Sequence, residues 1–340
     1  GIRDCLLSRG LGDVYKRRSS AGGPEKPWLA RLPMAMFATV MGLGGLSNAW
    51  ALAHRAIGVP LLVSEVLLVL AVSCGVLLSL AHLAKLGFCL REVAEEFAHP
   101  VRSSFFPAAS VSLVVLSIGV RPYAPDWAEA LWWLGAALHL VLAVTLIRRW
   151  IVHAQDEAVM TPAWFIPVVG NILVPVGGVP LGHVEISWFF FSVGLMLWLP
   201  FFTIVLHRVL FVPAMSARSM PTLFILLAPP SIGLSSYLAF TGGHAGALGD
   251  LLYCMALFIA ILLASLGRHL AHGPFFMSWW AMTFPAGGWA GASLGYYMAR
   301  PSPYTATVAV VALTVATVLV CWVAWHTVWH LASGAAFRED

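Results

Sequence analysis

Between Met34 and Ala332 the chain is a succession of ten long apolar stretches, and they alternate between two kinds. The even-numbered stretches are fatty and almost free of proline; Pro200 is the one proline within reach of the sixth. The odd-numbered stretches carry prolines, glycines and small polar residues, with no Asp, Glu, Lys or Arg inside them. Eight prolines fall across the third, fifth, seventh and ninth: Pro107, Pro162, Pro167, Pro175, Pro221, Pro229, Pro230 and Pro285. Proline removes a backbone donor and leaves a carbonyl without its helical partner. Lipid offers no replacement, so broken helices face protein or a water-filled cavity. The alternation predicts an inner ring of kinked helices around a central pore, wrapped by an outer ring of straight ones.

Composition sets the class. Hydrophobic residues make up 60% of the chain and charged residues 10%, and mean hydropathy is +0.86. A soluble domain carries roughly 25% charged residues, so the chain reads as an all-α polytopic membrane protein. A span needs about 20 apolar residues. Ten are expected near 34–53, 61–84, 103–121, 127–149, 160–179, 185–207, 219–241, 247–267, 274–299 and 303–332. The loops expected outside are short, which predicts five successive helical hairpins. The net charge of +4 is spread over short loops and says little about partners; no nucleic-acid partner is expected.

Loop charge predicts orientation. Lys26, Arg31, Lys85, Arg91, Arg102, Arg148, Arg149, Arg208, Arg218, Arg268 and Arg338 fall on one side, and Arg55, Arg121 and Arg300 on the other. Both termini are therefore expected in the cytoplasm of a bacterial inner membrane. The domain reading is a lead at 1–28, a membrane domain at 29–332 and a short tail at 333–340. Within the lead, Asp13-Val14-Tyr15-Lys16-Arg17 resembles a translated sequencing adapter, so residues 1–18 are expected to lie outside the fold. Between Lys85 and Pro100, Leu90, Val93 and Phe97 recur at helical spacing with charges opposite, which predicts an interfacial helix ended by Pro100.

Enzyme signatures are absent: there is no G-x-S-x-G, P-loop or H-E-x-x-H, and no pair of carboxylates mid-membrane. Cys5, Cys74, Cys89, Cys254 and Cys321 are scattered and read as buried thiols, not as a disulfide or zinc framework. His326 and His330 share a face, but they sit at the end of the tenth stretch beside Trp325 and Trp329, as an interfacial aromatic belt does. His139 is the one deep ionisable group of the second and fourth stretches and reads as a structural histidine. No metal or cofactor is expected.

The odd stretches hold uncharged polar groups instead: Thr39, Ser47, Asn48, Ser110, Ser112, Ser117, Asn171, Ser231 and Thr283. Together with the kink prolines Pro107, Pro167, Pro229, Pro230 and Pro285, and with Gly287, they are expected to line a neutral pore. Broken helices also offer free N–H groups and positive helix ends to an anion. Gly42, Gly44 and Gly45 in the first stretch let a neighbouring backbone come close.

Several strings then coincide. The first stretch reads Pro33-Met-Ala-Met-Phe-Ala-Thr-Val-Met-Gly-Leu-Gly-Gly-Leu-Ser-Asn-Ala-Trp50. The lead into the third is Glu95-Glu-Phe-Ala-His-Pro-Val-Arg-Ser-Ser-Phe-Phe-Pro107, the seventh holds Leu227-Ala-Pro-Pro230, and the ninth Trp279-Trp-Ala-Met-Thr-Phe-Pro285. From about residue 30 to 332 the chain resembles the family of plant guard-cell slow anion channels, the bacterial tellurite-resistance protein TehA, and yeast malate and C4-dicarboxylate transporters. The resemblance implies a homotrimer in the lipid bilayer, each protomer with its own pore for small inorganic or organic anions. It also implies a pore-plugging phenylalanine in a T-F-P pattern, which here is Thr283-Phe284-Pro285. Neighbouring Gly287 and Gly288 are expected to leave room for such a ring to turn away. Gating by a kinase through long cytosolic tails, as in the plant channels, is not expected. The function so implied is passive anion transport without an enzymatic step. The alternatives are a proton-coupled C4-dicarboxylate or tellurite-linked transporter and, from another class, a membrane cytochrome-like or enzyme subunit.

Overall fold

The computed structural model describes residues 27–213, 215–267 and 275–333. The expected adapter-derived stretch and the tail at 334–340 lie outside the described residues. Among those described, the secondary structure is helical throughout. Nine helices are long and apolar enough to cross a membrane: α1 (Met34–Ile57), α2 (Leu62–Phe88), α3 (Arg102–Val120), α4 (Pro125–Val152), α5 (Pro162–Leu181), α6 (Val184–Phe211), α7 (Met220–Phe240), α8 (Ala247–Ser265) and α10 (Pro303–His330). A further long helix, α9 (Thr283–Ala299), follows a 3-10 turn at Met277–Met282. It is rich in glycine, serine and tyrosine, and most of it is buried against protein rather than exposed as an apolar surface.

The two kinds of stretch differ in burial as the alternation predicts. In α1, α3, α5 and α7, 67–72% of the apolar window is buried inside the molecule, against 22–33% in α2, α4, α6, α8 and α10. The odd helices close a ring, with α1 on α3, α3 on α5, α5 on α7, α7 on α9 and α9 on α1. Each even helix covers the seam between two odd ones, as α4 does over α3 and α5 and α10 over α9 and α1. The α1–α9 contact is the most extensive in the molecule. Glycine explains it: a Cβ on Gly287 would lie 3.0 Å from the Gly45 carbonyl carbon and 3.1 Å from the Leu46 nitrogen, so the two backbones touch where side chains would hold them apart.

The prolines act differently from the expected mid-helix kinks. Each odd element opens with a 3-10 turn (Met34–Met36, Arg102–Phe105, Pro162–Trp164, Met220–Leu227, Met277–Met282) and then switches to α-helix. Pro107 is the first residue of the helix Pro107–Val120, Pro167 the third of Phe165–Val169, Pro229 and Pro230 the second and third of Ala228–Phe240, and Pro285 the third of Thr283–Ala299. In the first α turn the backbone N–H has no intrahelical acceptor, so proline is accommodated there without a lost bond. The breaks are therefore changes of helix type placed just before the prolines. In α5 the switch occurs twice, the second time at Gly170–Leu173 before Pro175.

The five 3-10 turns touch one another in a closed ring, so the N-termini of all five odd helices meet at one end of the molecule. That end is the basic one. The short amphipathic helix Leu90–Ala98 lies there, as expected, and turns at Pro100 toward α3. One of its charges is not on the solvated face. Leu90 is 64% exposed, while Glu96 is buried in an ion pair with Lys85 at 2.7 Å. Lys85 Nζ also donates to the Leu32 carbonyl, and Met34 N donates to Glu96 Oε1, both at 2.7 Å. Lys85 and Arg208, counted as loop charges from the sequence, are thus buried at helix ends, where backbone carbonyls accept from Lys85 Nζ and Arg208 Nη1. Arg149 of α4 donates to the carbonyls of Phe97 and Ala98 and so caps the amphipathic helix.

Candidate functional site

The ring of odd helices surrounds a cavity of about 60 Å³, and every residue lining it comes from an odd element. The wall takes Ala38 and Met41 from α1, Phe105, Ala108 and Val111 from α3, and Phe165, Val169 and Gly170 from α5. Ile225, Ala228 and Ile232 of α7 and Trp280, Phe284 and Pro285 of the ninth element complete it. Trp280 is the one wall residue with a polar side-chain atom, and its indole N–H is engaged by Thr327 Oγ1 at 2.9 Å. The wall is accordingly apolar.

This differs from the neutral polar lining expected from the sequence. The small polar residues of the odd helices turn their hydroxyls and amides onto backbone carbonyls instead. Thr39 donates to Met36 O, Ser112 to Ala108 O, Ser117 to Val114 O, Ser231 to Leu227 O and Thr283 to Trp280 O, all at 2.7–2.8 Å. Ser47 and Asn48 reach across helices to Ser64 O and Val115 O. These are the bonds that Ser and Thr make to carbonyls three or four residues back in any helix, as Thr145 and Thr314 do in the straight helices α4 and α10. The hydroxyls that looked like a lining are thus spent on their own backbone.

Of the residues singled out from the sequence, Phe284 and Pro285 border the cavity. Pro107, Pro167, Asn171, Pro229, Pro230, Thr283 and Gly287 lie behind its wall. Asn171 Nδ2 donates to Val168 O at 2.8 Å within α5. Thr283 packs against α1, where a Cβ on Gly42 would fall 2.0 Å from its Oγ1. Gly44 faces α3 through Val115. Gly45 is the residue behind Phe284: a Cβ there would lie 3.1 Å from ring carbon Cδ2 and 3.6 Å from Cε2. The room expected from Gly287 and Gly288 is already taken, by the α1 backbone and by Ile232 Cδ1 at 2.8 Å. The glycine that accommodates the Phe284 ring belongs to α1, a neighbour that no spacing on the ninth stretch can reveal.

His326 and His330 pack on Phe275, with ring centroids 5.6 and 5.7 Å apart, and Trp322 lies 4.5 Å from His326. Among the described residues no three His, Cys, Asp or Glu side chains are grouped to hold a metal. At the basic end, the five helix N-termini place positive partial charge at one end of the ring. His99 lies just before α3 at that end, its Nδ1 accepting from Val101 N at 3.1 Å and Arg102 N at 3.2 Å. Burial, then Arg102 and Arg149, hold its pKa below the ordinary histidine value.

Comparison with known proteins agrees with this architecture. The family model of SLAC1, the voltage-dependent anion channels, matches residues 31–328. The chain belongs to this family. Its relatives include the S-type anion channel SLAH3 of Arabidopsis thaliana, 27% identical over 89% of this chain and 49% of that protein. The guard cell S-type anion channel SLAC1 of the same plant is 25% identical over 89% of this chain and 56% of its own length. The tellurite resistance protein TehA homolog of Haemophilus influenzae is 23% identical over 91% of this chain and 93% of its length. The chain thus spans about half of the plant channels it matches and nearly all of the bacterial relative. As a member of the voltage-dependent anion channel family it is an integral membrane protein of an anion-transporting family.

Proposed function

We propose that this protein passes small anions passively through the cavity between its odd helices, and that Phe284 is the gate. The observation that carries the reading is the cavity itself: all five odd elements contribute to it, and the Phe284 ring stands in its wall where α1 and the ninth element cross. Five helix N-termini at the basic end favour entry of an anion there. An apolar constriction then excludes water, and with it ions, until the ring moves. No charged side chain lines the cavity to hold one anion tightly, which suits rapid exit. The reading includes α9 as the tenth span, both termini on the cytoplasmic side of a bacterial inner membrane, and a homotrimer with one pore per protomer.

The test is flux of chloride, nitrate and malate into liposomes at clamped voltage, with and without a pH gradient. Flux that follows the anion's electrochemical gradient alone supports the passive reading. Accumulation that follows the proton gradient refutes it and favours the proton-coupled C4-dicarboxylate or tellurite-linked alternative. Reporter fusions at Asp340 and after Gly243 test the ten-span arrangement, and must report opposite sides.

A further inference from the structure

The element that carries Phe284 is anchored by polar groups at its two ends. At the basic end, in the 3-10 turn before α9, the Trp280 indole N–H donates to Thr327 Oγ1 of α10 at 2.9 Å, and Ser278 Oγ donates to the Arg218 carbonyl at 2.6 Å. At the far end, Asp250 of α8 grips Tyr296 and Arg300, the residue that caps α9. Its Oδ1 accepts from Tyr296 Oη and Arg300 Nε, and its Oδ2 from Arg300 Nη2, all at 2.8 Å. Arg300 Nη2 also donates to the Ala245 carbonyl at 2.8 Å. The Tyr296 ring lies flat on Tyr253 of α8, with centroids 3.9 Å apart and planes at 9°. A guanidinium forked onto one carboxylate fixes direction as well as distance.

Between these anchors α9 has little to fix its position against the other inner helices. It turns Gly287 and Gly291 to α1, and Gly288 and Gly295 to α7. A Cβ on each would lie 3.0 Å from the Gly45 carbonyl carbon, 3.6 Å from Leu52 Cδ1, 2.8 Å from Ile232 Cδ1 and 3.1 Å from Leu238 Cδ1, in that order. Glycine faces bring helices close but supply no ridge to lock one helix against the next. The polar side chains of this stretch, Trp289 and Ser293, are buried without a hydrogen-bond partner. The helix runs without a break from Thr283 to Ala299, about 25 Å, so a shift at its far end reaches its first turn.

Phe284 is the second residue of that turn, directly after the change from 3-10 to α-helix at Met282. The two helix types differ by about 0.5 Å of rise and about 20° of turn per residue. Passing one residue across the junction therefore rotates the Phe284 ring about the helix axis. With both ends anchored the junction stays where it is; with the far anchor gone it is free to move.

We infer that Asp250 is a positioning residue for the gate: its clamp on Tyr296 and Arg300 fixes α9 at the register that leans Phe284 on Gly45. The inference rests on Phe284 being the gate and deepens that reading. The clamp is made in the arrangement in which the ring leans on Gly45 and borders the cavity, so its loss shifts the population away from that arrangement. A coupling at the low end of those between distant sites gives about a fivefold rise in flux.

The experiment measures chloride flux from liposomes for native, Asp250→Asn, Phe284→Ala and the double variant, at equal amounts of folded protein, with thermal stability beside it. Asparagine keeps the size of the side chain but not the charge that holds the guanidinium. Asp250→Asn is expected to raise flux about fivefold in the native background, and to change it by less than about twofold where Phe284 is already alanine, because the clamp acts through the ring. A residue that only stabilises the fold lowers thermal stability in both backgrounds and leaves flux per folded protein unchanged. Unchanged or lowered flux in a folded Asp250→Asn variant, or the same fold-change in both backgrounds, overturns the inference. If Phe284→Ala raises flux and Asp250→Asn does not, the inference alone falls. If Phe284→Ala leaves flux unchanged, the gate falls and the inference with it, and absence of flux from all four removes the transport reading. Should Asp250→Asn fail to fold, Arg300→Lys, which keeps the charge and loses the fork, is read by the same criteria.

Discussion

Replacing Phe284 by alanine separates a gate from a core residue, because the two roles predict opposite results. The ring leans on Gly45 on one side and borders the cavity on the other. A fully enclosed phenylalanine costs about 3–5 kcal/mol when truncated to alanine. Phe284 is only partly buried and borders the cavity, so a smaller loss of roughly 2 kcal/mol is expected here, small enough to leave the protein folded. If the ring alone closes the passage, its removal lowers the barrier by more than about 1.4 kcal/mol, a factor of ten in flux. The assay is anion flux from liposomes loaded with equal amounts of folded native, Phe284→Ala and Phe284→Leu protein, with thermal stability in detergent measured beside it. A gate gives flux that rises in the order native, leucine, alanine. A core residue gives reduced stability and no gain in flux. A well-folded alanine variant with native flux refutes the gate.

The remaining predictions concern the surroundings of the cavity. Gly45→Ala places a methyl 3.1 Å from Phe284 Cδ2; it is expected to push the ring into the cavity and lower flux in a folded protein, whereas Gly42→Ala, 2.0 Å from Thr283 Oγ1, is expected to lower the yield of folded protein. Lys85→Met strands the buried Glu96 carboxylate and is expected to cost about 3–5 kcal/mol in thermal or denaturant unfolding; the double variant Lys85→Met/Glu96→Leu recovers part of the loss, and equal stability of single and double variants contradicts the buried pair. His99 has a lowered pKa, so the folded protein prefers its neutral ring and the unfolded chain takes up the proton first; stability from this group is present above the ordinary histidine value of 6.5 and is lost as pH falls from there toward the lowered value. Hydrogen exchange at the Val101 and Arg102 amides, corrected for intrinsic rates, is expected to speed up between pH 7.5 and pH 5, and unchanged protection contradicts the assignment.

The odd–even alternation was legible because it is a compositional consequence of solvent. A helix facing lipid must satisfy its backbone within itself, so α2 has no proline and α4 none beyond Pro125 at its first position. A helix enclosed by others is released from that demand, so α5 tolerates Pro167, Gly170 and Pro175 in one span. The amphipathic helix Leu90–Ala98 was legible from spacing, but its buried Glu96 was not, because the Lys85 that neutralises it comes from another helix. Phe284 was legible only through a family pattern. Nothing in its own neighbourhood distinguishes it from a core aromatic.

The sequence alone determined the class and the division into inner and outer helices, since both follow from local chemistry in lipid. The tertiary structure decided what the cavity is made of. Serines and threonines that looked like a polar lining spend their hydrogen bonds on backbone carbonyls, and the wall is left to Ala38, Val111, Phe165, Ile232 and Phe284. It also set Gly45 behind Phe284 and His139 behind Gly170, pairings across helices 239 and 31 residues apart in the chain. Such contacts depend on which faces of two helices meet. That is fixed by packing of the whole ring, and no local pattern records it.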